Sequence, residues 1–142
     1  MKKFRILVAA VVVVVAFGAA PVSASSAPIV ITYAKTCNEL IGHCAGSAGD
    51  GGTFEMQVTG FRATGKAAHL TATVEIAVGD ISFTAEMTGH ASPAGFIVLN
   101  GTVTDGSFVG AQVHQRSNFD GASPDGTMTS WIGQLRLMPK SG

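Results

Sequence analysis

Two cysteines, one tryptophan and one tyrosine are all that this 142-residue chain holds of those residue types. With so few cysteines the fold cannot be stapled at many points, so its core has to hold it together. No amphipathic helical pattern of useful length appears, so helices are not its building element. No internal repeat occurs. Neither a Ser/His/Asp nucleophile elbow nor a phosphate-cradling glycine loop before a helix is present. Gly49-Asp50-Gly51-Gly52 lacks both the strand–helix context and a lysine. Beyond the first apolar run, no second one approaches the roughly 20 residues that span a bilayer.

That first run is the most directive part of the chain. Met1-Lys2-Lys3-Phe4-Arg5 is a short basic start, Ile6 to Ala20 is unbroken and apolar, and Pro21-Val22-Ser23-Ala24 follows. These are the three parts of a secretory signal peptide. Cleavage after Ala24 places Val22 and Ala24 at the positions a signal peptidase reads. Cleavage after Ala20 or Ala27 would leave Pro21 or Pro28 directly after the cut. Residues 1–24 are therefore read as a leader and 25–142 as a single exported domain. Without Lys2, Lys3 and Arg5, six basic residues face nine acidic ones, a net charge of about −3. That balance disfavours nucleic acid and anionic membranes as partners.

In an exported chain Cys37 and Cys44 are expected to bond to each other. A metal site built on Cys37, His43 and Cys44 is the weaker reading, since adjacent His43-Cys44 chelates poorly and no fourth ligand is evident. No metal and no cofactor is assigned.

Past Pro28, period-2 alternation dominates. Strands are expected over 29–34, 54–59, 69–77, 81–88, 96–104, 110–116 and 129–138, with loops at 45–52, 60–65 and 119–126. The best-defined unit is a hairpin turning at Gly79-Asp80. Its two-residue loop pairs Val78 with Ile81 and fixes the rest: Ile76 with Phe83, Val74 with Ala85, Ala72 with Met87, His69 with His90. About seven strands joined by short turns predict an all-β fold, a small antiparallel barrel or sandwich of seven to eight strands.

The stretch Gly101-Thr102-Val103-Thr104-Asp105-Gly106-Ser107-Phe108-Val109-Gly110-Ala111 has the pattern G-x-[VI]-x-x-G-x-F-x-G-A, and Trp131-Ile132-Gly133-Gln134-Leu135 follows downstream. Together, over about residues 97–137, they resemble the closing strands of allene-oxide-cyclase-like and dirigent-like β-barrels. Two departures stand out. Gln112-Val113-His114 replaces the glycine usual after the Gly-Ala pair, and the catalytic residues of those families have no matching positions. The resemblance implies an eight-stranded barrel and carries over no activity.

Candidate functional residues come from strand faces. Glu75 and Glu86 are diagonal neighbours on the non-core face of the hairpin. They would line a pocket if that face pointed inward, and form a wet face if outward. His114 and Arg116 share a face with Gln112 and suit an anion or a sugar hydroxyl. Trp131 and Tyr33 could stack on a ring or anchor a core rim. The favoured function is a secreted, non-enzymatic binding module for a small apolar ligand or an envelope partner. An isomerase-like or cyclase-like enzyme on a dirigent-like barrel, and a structural or self-associating β protein, are the alternatives. Ligand identity and oligomeric state stay open.

Overall fold

The computed structural model describes residues 27–139. The leader read from the sequence lies outside them. Eight strands follow in order: β1 (Ile29–Asn38), β2 (His43–Ala48), β3 (Gly52–Thr64), β4 (Ala67–Val78), β5 (Ile81–Ser92), β6 (Phe96–Gly106), β7 (Gln112–Ala122) and β8 (Met128–Met138). Each pairs antiparallel with the next, and β8 returns to pair with β1, closing an up-and-down barrel. Closure leaves no unpaired sheet edge.

The alternation expected from the sequence decides which side chains fill the barrel. Odd residues of β1 and even residues of β4 face inward, so Ile29, Ile31, Leu70, Val74 and Ile76 are buried. The outer wall carries Thr32, Glu75, Glu86, Gln112, Arg116 and Arg136 instead, all exposed. An apolar interior and a polar exterior are the reverse of a lipid-facing barrel. Among the described residues no helix is long and apolar enough to cross a membrane.

The β4–β5 hairpin has the register read from the sequence, from Val78↔Ile81 to His69↔His90. Gly79 sits at φ 62°, the left-handed conformation that the first position of this two-residue turn requires. Elsewhere the strands run further than expected. Residues 45–48, expected in a loop, complete β2 and pair with both β1 and β3. The expected turn at 60–65 is mostly strand, because β3 continues to Thr64 through a bulge between Val58 and Gly60. β7 likewise reaches Ala122 through a bulge between Phe119 and Gly121. Glycine and serine there signal bent strands rather than loops. The Gly106 to Ala111 part of the family-like motif makes the β6–β7 turn.

Candidate functional site

The barrel has two unlike ends. The turns after β2, β4 and β6 surround one end, where Ala48, Val78, Ile81 and Leu137 are buried and fill it. The turns after β1, β3, β5 and β7 surround the other. There a cavity of about 530 Å³ opens between Leu70, Val58, Ile97, Ala91, Trp131 and the Cys37–Cys44 bridge. Ile41 and Phe61 also line it while standing 63% and 69% exposed, an apolar rim to the opening.

Sequence and register build this mouth. Cys37 and Cys44 are direct cross-strand partners in the β1–β2 hairpin, with Cα atoms 4.0 Å apart, and they are bonded as expected. The bridge ties the β1–β2 turn down over the mouth and places the chain in an oxidising compartment. Among the described residues no cluster of three or more His, Cys, Asp or Glu is placed to hold a metal ion. On the facing side, the Trp131 indole donates to Thr129 Oγ1 at 2.8 Å, and Thr129 donates to Glu39 Oε2 at 2.5 Å. Glu39 N also donates to Thr127 O at 2.7 Å. These bonds knit β8 to the β1–β2 turn. Phe119 packs edge-on against Trp131, with ring centroids 5.4 Å apart.

The floor of the mouth is polar, and sequence reading missed it. Lys35 is only 2% exposed. It lies on the inward face of β1, in series with Ile31, Tyr33 and Cys37. Its Nζ donates to Met56 Sδ at 3.5 Å and lies 5.9 Å and 5.5 Å from the ring centres of Tyr33 and Phe54. Burial lowers the Lys35 amine to about 8; the nearby Glu39 carboxylate acts in the opposite sense. Beneath it, Tyr33 Oη contacts Ser117 Oγ at 2.5 Å and donates to Arg116 O at 3.1 Å. Burial pushes the Tyr33 hydroxyl up to about 12, against the pull of hydrogen bonds with Ser117 and Gln115. Gln115 is wholly buried, and its Oε1 has no partner among the described residues. Its Nε2 lies 3.9 Å from the same Met56 sulfur. Gly133, opposite both Tyr33 and Ser117, makes room for this cluster. A Cβ there would lie 2.0 Å from Arg116 O, the carbonyl that accepts from Tyr33.

Of the residues singled out in the sequence, Trp131 lines the mouth and Tyr33 is buried in the core beneath it. Glu75, Glu86, His114 and Arg116 stand on the outer wall, exposed, and not in the cavity. Glu86 accepts from Thr73 Oγ1 at 3.1 Å on both carboxylate oxygens. Glu75 stands between Glu55 and Thr84. His114 Nδ1 is hydrogen-bonded to Asn100 Oδ1. Arg116 lies over the Phe96 ring, 4.4 Å from its centre. His114 and Arg116, with Arg136, border a groove of about 640 Å³ on the barrel wall. That groove is an outer surface, remote in character from the apolar mouth.

The signal for Lys35 was present in the chain. A lysine at an odd position of an otherwise odd-apolar strand must either break the strand or be buried. Gln115 and Ser117 sit in the same relation to Val113 on β7.

No protein-family model, curated protein or solved structure matches the chain.

Proposed function

We propose that this chain is an exported, non-enzymatic barrel that takes a small, mainly apolar molecule into its mouth. The observation that carries this is the cavity of about 530 Å³, walled mainly by aliphatic and aromatic side chains, with Asn38, Glu39 and Thr59 also lining it and Lys35 at its floor. A few convergent polar groups in an apolar concavity are what small-molecule sites have in common. The basic, apolar and small-residue segments of residues 1–24 and the disulfide both support export. The likeness of residues 97–137 to allene-oxide-cyclase-like and dirigent-like barrels accords with a ligand-holding barrel. The cyclase-like alternative rests on that likeness alone.

The chain's single tryptophan lines the mouth, so its emission reports occupancy directly. Titration of the mature protein with neutral 1-aminoanthracene should quench Trp131 saturably and raise probe fluorescence. Ala91→Phe, which fills part of the cavity, should weaken binding by about tenfold while leaving the unfolding midpoint in place. Absence of saturable binding, or binding indifferent to Ala91→Phe, would overturn the reading.

A further inference from the structure

From the place of Lys35 we infer that the mouth captures an apolar aldehyde or ketone as an imine on its Nζ. The inference rests on the reading of the mouth as a ligand site and names the chemical class of the ligand.

Three observations converge. First, Lys35 is the one lysine among the cavity's lining residues, and it sits at the floor, where a ligand entering past Ile41 and Phe61 ends. Second, its Nζ meets a thioether and two aromatic faces, and no carboxylate bonds to it. The two ring faces attract an ammonium, but burial without a bonded carboxylate outweighs them and favours the neutral, nucleophilic amine. The titratable groups facing it are Tyr33 from its own strand and Glu39 from the β1–β2 turn; Met56 of β3, Gln115 of β7 and Trp131 of β8 bring no charge. Third, Gln115, whose Nε2 lies against the same Met56 sulfur as Lys35 Nζ, has a buried Oε1 with no hydrogen-bond partner among the described residues. A carbinolamine hydroxyl is a donor that would satisfy it.

The chemistry closes on itself. The neutral amine attacks the carbonyl carbon, and a C–N bond forms. Both amine hydrogens pass to the former carbonyl oxygen, the C–O bond breaks, and water leaves through the mouth. No oxidant, reductant or further reactant is consumed, and hydrolysis reverses the step.

Lys66 supplies an internal comparison, since it is exposed in the β3–β4 turn. The mature protein is incubated with 3-phenylpropanal, trapped with cyanoborohydride and mapped by peptide mass spectrometry. Lys35 should be modified at least about tenfold faster than Lys66, because a lowered amine pKa leaves more free amine at neutral pH. Its rate should climb with pH and level off above about 8. Lys35→Met should abolish this adduct yet still bind 3-phenylpropan-1-ol, read by Trp131 quenching. The wild-type map decides the matter even if that variant fails to fold. If the alcohol binds but the aldehyde marks Lys66 as fast as Lys35, the imine inference falls and the ligand site stands. If neither compound binds, both fall.

Discussion

The two ends of this barrel are built from the same strands and differ in almost everything else. At the closed end a two-residue turn joins β4 to β5, and buried Val78, Ile81 and Leu137 fill the space between the walls. At the mouth, the β1–β2 turn carries Leu40 and Ile41 at 77% and 63% exposure, and a cavity replaces the packed layer. Two of the three register shifts, at Val58/Gly60 and Phe119/Gly121, fall toward the mouth. A bulge bends its strand and re-aims the side chains beyond it. After the first, Phe61 comes opposite Leu70 at the rim; beside the second, Phe119 braces Trp131. The closed end supplies the stability, and the mouth spends part of it on concavity.

The largest expected effect breaks this contrast if it is wrong. Ile76→Ala, beside Phe54 and Phe83 in the packed half, should cost about 4 kcal/mol in urea unfolding, within the range for buried large-to-small changes. Leu70→Ala should cost roughly half as much, because one side of Leu70 already faces the cavity. Equal losses would mean that the mouth is packed as tightly as the closed end.

Removal of the bridge by Cys37→Ala with Cys44→Ala should cost about 2–3 kcal/mol, the loop-entropy expectation for so short a ring. Ligand affinity should fall further than stability alone explains, since the bridge is part of the cavity wall. Unchanged affinity would show that the β1–β2 turn holds its position unaided.

Lys35 sharpens the comparison by pH. Its folded value, about 8, lies below the ordinary 10.5, so the unfolded chain binds the proton more tightly. Stability is therefore depressed below pH 8 and recovers as pH rises toward 10.5. Tyr33, raised from 10.0 to about 12, acts the other way above pH 10, where the unfolded chain ionises first. Between pH 7 and 10 the pair should yield a net gain of about 2 kcal/mol in chemical unfolding. Lys35→Met should remove the gain and be the more stable protein at pH 7. A wild-type profile as flat as the variant's would show that water reaches the amine.

The smallest effect concerns the β7–β8 turn. Asp125 accepts from Ser123 Oγ, Thr127 N and Thr127 Oγ1, which hold its carboxyl down at about 2. Its contribution is present above the ordinary carboxylate range and lost as pH falls toward 2. Asp125→Asn should flatten only that acid limb of the thermal unfolding profile. A variant that also loses ligand affinity would reveal that this turn, through Thr127 O and Glu39 N, sets the shape of the mouth.

The fold was legible wherever alternation and turn chemistry agreed, as in the β4–β5 hairpin, whose register the Gly79-Asp80 turn sets and the apolar alternation matches. β2 was not, because Ala45-Gly46-Ser47-Ala48 has the composition of a loop, and only pairing on both sides makes it a strand. The site was less legible than the fold. Glu75, Glu86, His114 and Arg116 attract attention as chemical groups, but parity sends them outward. Lys35 and Gln115 were not legible, because most polar strand residues face water. Their inward position depends on strand phase, which Ile31, Tyr33 and Val113 define. The cavity itself arises where the side chains of several strands fall short of filling the space between the walls, and no local stretch of sequence encodes that shortfall.

Ile29 begins β1 and Leu137 nears the end of β8, and the two are paired neighbours. The chain thus enters and leaves the barrel side by side, at the end opposite the mouth. A linker or surface attachment joined at Ile29 or Leu137 would depart from the base and leave the opening clear. The barrel can be mounted like a cup on its foot, with the approach to the cavity unobstructed. Joining the two termini and opening the chain at Gly79-Asp80 should preserve that geometry, because both the new and the old breaks lie at the base.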